Sequence, residues 1–533
     1  MAKNLLKLYG TTEKPSESKM IQAGALSVEW LGGNLGKIAF GGVEVLRGIS
    51  YLVRDANWGT CAAKISGLKI AKSRGGASII YKATAANGDR VLAMKAQIGI
   101  TPRQLVFSIQ ATPNKDFKTN RTGFVVLHPA GLAGKPVTVT HTDGKKEKAK
   151  FPKLINPGQP FFEIRALEHA PAPGLKAQVL MEGNKFEMED QRNWSDASYK
   201  TYVCSLLDPW PYELKAGIAF EQKITITLTG KAPAAIAKLK AKATALKGKL
   251  PEIGLAVPML EVQATLKRIA DIKALNPHHL MCQLDGAGDF ASAAASFAKL
   301  ADATGIPIAL EIILPAKAPA GLEMSAIAQA VHHAGLKPES VIVTQAHDLK
   351  SFQPGTPRPW GPTYEEMAAA AHAHFPDTKI GGGMLSFFTE LNRKRPPQGL
   401  FDFITHSVCP IVHDASDAAV MQTLETLPAI FASARAFIGK AEYHLGPSTI
   451  AARMNPYGAD VADNPKRLRM CLAPNDPRQI GTFAVEWNHG LIAAAANARL
   501  TRITLCDVTG PRGLFDAKGQ PTPLYQFFRK LQE

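Results

Sequence analysis

The stretch Phe186 to Tyr202, FEMEDQRNWSDASYKTY, gathers acids, an Arg, an Asn and a Trp within one short segment. Asp190, Arg192, Asn193 and Asp196 are types that bind hydroxyl and carboxylate groups, and Trp194 offers a flat apolar face for a sugar ring. The same residues also suit a structural clasp in which Arg192 and Asp196 pair inside a buried hinge. Four later segments carry further polar groups. GGGMLSFFTELNRKRPP offers Thr389, Glu390, Asn392 and Arg393, and THSVCPIVHDASD offers His406, His413, Asp414 and Asp417. HLGPSTIAARMNPYGADVADNPKRLRMCLAPNDPRQ contains His444, Arg453, Asn455, Asp476 and Arg478, and CDVTGPRG contains Asp507.

A carboxylate base, imidazoles and guanidinium groups at one mouth suffice for hydrolysis. Glu390 or Asp507 would take a proton from water, and Arg453 or a protonated His413 would stabilise an oxyanion. His413 or His406 would then protonate the leaving oxygen. Asn392, His406, His444 and Asn455 complete the candidate binding set. Glu390, His413 and Arg453 have plainer readings: Glu390 as a first-turn helix acid, His413 and Asp414 as loop-ordering groups, Arg453 as the partner of a loop acid.

Those segments need strand ends to hold them. From Ala23 to about Gly230, short β-branched runs alternate with Gly turns, which is the pattern of an antiparallel β-sandwich-like domain. After Pro251 strands and helices alternate, with strands expected near 253–257, 279–284, 307–314, 340–345, 378–383, 402–407, 442–447 and 502–507. That count is the arithmetic of a (β/α)8 TIM barrel, whose sites form at the C-terminal ends of its strands. The expected division is 1–230 for the β-domain, 231–250 for a basic helix or linker, and 251–533 for the barrel. The pairs His278–His279 and His332–His333 fall where structural roles are expected. The expected fourth strand ends at Gln345 and the seventh passes through His444, so the paired carboxylates of a retaining glycosidase are missing from their usual places.

A chain of 533 residues exceeds one core, so two or three domains are expected. Lys plus Arg minus Asp plus Glu is 62 − 45, the formal charge of +17. The basic residues are spread along the chain, which argues against nucleic acid as a partner. The six cysteines form no CxxC pair, and no HExxH cluster occurs. This composition points to reduced thiols in a cytoplasmic protein and leaves a metal site without support, and the hydrolysis above needs no organic cofactor. No apolar run reaches the ~18 residues of a membrane span, and the opening residues lack a signal-peptide h-region.

The blocks GNLGKIAFGGVEVLRGISYLVRD, EDQRNW, FFTELNRKRPP, VHDASD, GPSTIAARMNPYG, DPRQ and VTGPRG occur in one order over about residues 21 to 530. They resemble the D-apionate lactonase family. The resemblance implies a β-domain followed by a TIM barrel, and hydrolysis of the branched sugar lactone D-apionolactone to D-apionate in apiose catabolism. Two positions depart from the family pattern: Asp507 stands where Glu is common, and GPSTIAARMNP replaces a more usual GPVTLRxRFNP. The resemblance carries no roles for individual residues, so the roles above rest on residue chemistry. A barrel glycoside hydrolase and a non-catalytic carbohydrate-binding protein are the alternative readings.

Overall fold

The computed structural model describes residues 2–15, 17–231, 247–458 and 460–532. Most of the expected helix or linker over 231–250 therefore lies outside the described residues. Two compact units emerge. One holds residues 16–191 and 197–242; the other holds residues 1–15, 192–196 and 243–533.

The first unit is built on an antiparallel sheet of sixteen strands, and Phe117–Thr119 pairs with Tyr212–Leu214 in a separate two-stranded sheet. The expected sandwich is realised as one curled sheet whose halves share a core, with residues from Ile21 to Leu228 in one apolar cluster. Strand Gly76–Asn87 shows why: buried and exposed residues alternate along it, so one face is committed to the core. Strands Phe186–Glu189 and Ser198–Val203 differ, being buried on both faces.

The second unit contains a closed barrel of eight parallel strands. They are Glu252–Val257, Leu280–Asp285, Ile308–Leu314, Ser340–Gln345, Lys379–Phe387, Phe403–Ser407, Glu442–Leu445 and Arg502–Asp507. The connecting helices carry ordinary end signals. Asp289 caps Phe290–Thr304 by accepting from the Ser292 N–H, and left-handed Gly305 ends that helix. Thr363 and Glu366 form a capping box at Tyr364–His374. Inside the barrel Met281, Ile313, Ile342, Leu385 and Phe403 pack together, and Met454 rests on them. The GGG run of the fifth strand makes room for this layer, because a Cβ at Gly381 would lie 2.2 Å from the Phe403 ring. Among the described residues, no helix is long and apolar enough to cross a membrane.

Candidate active site

The fifth barrel strand runs directly into the short helix Phe388–Arg393. Thr389 Oγ1 donates to the Asn193 carbonyl at 2.8 Å, and Asn392 Nδ2 donates to Asn193 Oδ1 at 2.8 Å. Residues three apart share a helix face, so one side of this helix grips the segment Arg192–Asp196. Arg395 Nη2 donates to Asn392 Oδ1 at 2.6 Å and locks the amide's orientation.

The same segment delivers Asp196 to His413, in the loop after the sixth strand. His413 Nδ1 lies 2.7 Å from Asp196 Oδ2. A carboxylate at Nδ1 fixes the ring proton there and leaves the Nε2 lone pair available as a base. Both side chains remain about one-fifth exposed, at 20% and 19%. Trp194 stands edge-on to His413, with ring centroids 5.8 Å apart, and lies 4.5 Å from the Tyr457 ring. Trp194 is buried, whereas Tyr457 is 51% exposed. Of these two rings Tyr457 is the exposed one, and Trp194 lies buried against it. Arg393 lies over the Trp194 ring and donates to Ser351 Oγ at 3.0 Å. Ser351 N–H in turn donates to the Pro456 carbonyl at 2.9 Å, tying the loop after strand four to the long loop after strand seven.

That long loop also places Arg453. Its Nη1 donates to Glu311 Oε1 at 3.1 Å and its Nη2 to Glu311 Oε2, a two-pronged ion pair. Gln283 Nε2 donates to the same Oε2 at 3.1 Å. Burial works against the Arg453 charge, but Glu311 and then Asp507 hold its pKa above the ordinary value. Asp507, at the end of strand eight, is buried with its pKa pushed up by desolvation and pulled back by Arg512 and Arg453. Arg512 Nη2 lies 2.8 Å from Asp507 Oδ2, an ion pair that holds the carboxylate against the barrel wall.

Other candidates sit elsewhere or are occupied. His406 is enclosed, with Nδ1 2.9 Å from the Ser407 carbonyl and Nε2 2.7 Å from Tyr443 Oη. Burial pushes its pKa down to about 4. His444 stacks on Phe403 and meets Glu442 at 3.2 Å, toward the N-terminal end of the barrel where Lys379 also binds Glu442. The site face is the opposite one. Asn455 spends its side chain on its own loop, accepting from Tyr457 and Gly458 N–H and donating to the Asp460 carbonyl. Asp190 accepts from the Asn156 N–H within the β-domain. Arg192 is buried, and Asp196 reaches out of the segment to His413. Glu390 is fully buried; Oε2 accepts from the Phe387 N–H at 3.2 Å and Oε1 has no hydrogen-bond partner among the described residues. Desolvation raises its pKa against the pull of Lys394 and Arg393. Asp476 and Arg478 pair with each other, and Arg478 also binds Asp417.

Sequence reasoning passed over Glu311 and Tyr457. Glu311 had a signal, a lone acid inside the apolar strand IALEIIL, where an unpaired charge would be costly. Tyr457 had none beyond its place in a polar loop. Among the described residues no three of His, Cys, Asp and Glu gather as a metal site requires.

The fold defines a two-domain protein, an antiparallel sheet followed by a (β/α)8 barrel. Family models describe the same order: the D-apionate lactonase N-terminal domain matches residues 6–231 and the D-apionate lactonase TIM barrel domain matches 253–533. The D-apionate lactonase of Brucella anthropi is 43% identical over 528 residues, covering 97% of this chain and 86% of that protein. The chain belongs to the D-apionate lactonase family. Among solved structures, a putative aldose 1-epimerase from Escherichia coli K12 is 10% identical, with a TM-score of 0.28, over 40% of this chain and 99% of that one. A GH36 alpha-galactosidase from Geobacillus stearothermophilus is 8% identical, with a TM-score of 0.29, over 96% of this chain and 85% of that one. Scores that low carry no argument about fold or activity.

Proposed function

We propose that the protein hydrolyses the ring ester of a sugar lactone, D-apionolactone, to D-apionate, as a carboxylic ester hydrolase. Family membership supports the reaction class. The observation that carries the mechanism is the Asp196–His413 pair, made through Nδ1, with no bond at Nε2 among the described residues. Nε2 takes a proton from water, and the oxygen adds to the lactone carbonyl carbon as the C=O pair moves onto its oxygen. Arg453 stabilises that oxyanion, held in place by Glu311 and Gln283. The intermediate collapses by breaking the bond to the ring oxygen, which receives the proton from His413. Tyr457 supplies the face against which the ring lies.

Among the described residues no cysteine is joined in a disulfide, which supports a reducing, cytoplasmic setting. The matched ranges support the division into 1–230, 231–250 and 251–533.

The test is to add D-apionolactone to the purified protein in weakly buffered water containing ¹⁸O. Expected are acidification and one labelled oxygen in the carboxylate. Cleavage of aryl glycosides with no lactone opening would overturn the reading.

A further inference from the structure

The segment Ala2–Pro15 precedes the β-domain in sequence, yet it belongs to the barrel's compact unit. Its helix Ala2–Tyr9 ends in Tyr9, whose ring lies 5.7 Å from that of Phe483. The fit is close: a Cβ at Gly10 would lie 2.1 Å from the Pro477 carbonyl oxygen, and one at Gly481 would lie 2.3 Å from that of Leu8. Glycine is the one residue that admits such an approach, and Gly10 also has a positive φ of 65°.

The contact centres on Arg469. Its backbone N–H donates to Glu13 Oε2 at 2.9 Å, and Nη1 donates to the Glu13 carbonyl at 2.9 Å. Its guanidinium carbon sits 4.6 Å above the Tyr9 ring. On its other edge Nε and Nη2 donate to the two oxygens of Asp417, at 2.8 and 3.2 Å. The side chain is 8% exposed, so these charge-assisted bonds form largely out of water. Asp417 opens the helix Asp417–Ile438, four residues beyond His413.

Three residues past Arg469 the chain reaches both proposed catalytic loops. Leu472 N–H donates to the Ile411 carbonyl at 2.9 Å, two residues before His413. Ala473 accepts from the Ala452 N–H at 2.8 Å, one residue before Arg453. We infer that the leading segment, acting through Arg469, is a positioning device that holds the His413 and Arg453 loops in register. The inference rests on the lactonase reading for its kinetic consequence, but its geometric content does not. Neither Tyr9, Glu13 nor Arg469 touches a reacting atom; they act through backbone bonds to Ile411 and Ala452.

The test uses a variant lacking residues 2–13 and, beside it, Tyr9→Ala/Glu13→Ala in the full chain. Misplacing a catalytic group by about 1 Å can cost about 10²-fold. Expected on D-apionolactone is a fall in kcat of about 10- to 100-fold with KM within about threefold. Hydrogen exchange should quicken at the Leu472 and Ala452 amides while the barrel strands stay protected. If the shortened chain does not fold, the double variant decides alone. Wild-type kcat with unchanged exchange at both amides would overturn the inference. Should the wild-type protein open no lactone, the exchange measurement still decides it, so the two readings fail separately.

Discussion

Asp196 and His413 lie 217 positions apart in the chain and 2.7 Å apart in space. In the proposed mechanism the carboxylate does not react: it would hold the imidazole in the tautomer whose Nε2 can accept a proton, and would stabilise the imidazolium formed when water attacks. Asp196→Asn keeps the size but can present an N–H where an acceptor is needed. The expected result is a kcat about 10²–10⁴-fold lower with KM little changed, measured by steady-state lactone hydrolysis. A near-normal kcat would remove His413 from the role of base.

Arg453 and Glu311 test the other half of the site. Arg453→Lys keeps the charge but loses the planar fork that meets both Glu311 oxygens. If Arg453 stabilises the oxyanion, kcat should fall about 10²–10³-fold, with the protein still folded. Glu311→Leu leaves the Arg453 charge buried without its partner, and the expected loss of stability is about 3–5 kcal/mol by denaturant titration. An unchanged kcat in the lysine variant would place the oxyanion elsewhere.

Much of this architecture is legible in the sequence because barrel strands announce themselves by alternation with helices. The strand expected at 340–345 is Ser340–Gln345, and that expected at 502–507 is Arg502–Asp507. The loops are legible as polar segments, but not which side chains their own backbone consumes. Asn455 reads as a ligand in sequence and is an internal loop brace in space. His444 reads as a mouth residue because it lies near a strand end. The seventh strand is only four residues long, Glu442–Leu445, and the ring meets Glu442 from its first position. Asp196 and His413 are each legible as polar residues, but their pairing is long-range, and no local pattern encodes it.

In the β-domain His169 is buried, its Nε2 3.4 Å from the Val45 carbonyl, and burial pushes its pKa down to about 4. An unfolded imidazole titrates near ~6.5. The folded pKa is depressed, so the native state resists protonation and the unfolded state takes up the proton first. The stability this neutral ring supports is therefore present above pH ~6.5 and is lost as pH falls toward about 4. At ~1.4 kcal/mol per unit the loss is about 2–3 kcal/mol by pH ~4.5. Urea titrations of wild type and His169→Gln at neutral and acid pH measure it. The variant should lose less stability on acidification; equal losses would show that His169 is not the titrating group.

Trp194 and Tyr457 touch at a centroid distance of 4.5 Å and should respond differently to truncation. Trp194→Ala empties a buried site and should cost about 3–5 kcal/mol of stability. Tyr457→Ala removes an exposed face, so the unfolding midpoint should hold while KM rises about tenfold. A Tyr457 variant with wild-type KM would leave the ring of the substrate without its proposed platform.

Glu390 separates the two possible bases. It is fully buried, its pKa is raised by desolvation, and Oε1 has no hydrogen-bond partner among the described residues, all of which suit a proton-transfer group. Against this, Oε2 already accepts the Phe387 N–H and closes the first turn of helix Phe388–Arg393. That helix aligns Thr389 and Asn392 on Asn193, so a role in holding the helix is role enough. Glu390→Gln preserves an oxygen that can accept the Phe387 N–H but cannot take a proton from water. With His413 as the base, the variant should keep kcat within about tenfold of wild type. If Glu390 is the base instead, kcat should fall about 10²–10⁴-fold. The pH profile of kcat/KM decides between a fall from lost basicity and one from a loosened helix. Loss of the base removes the limb that titrates with Glu390, whereas a loosened helix lowers the whole profile without moving its limbs.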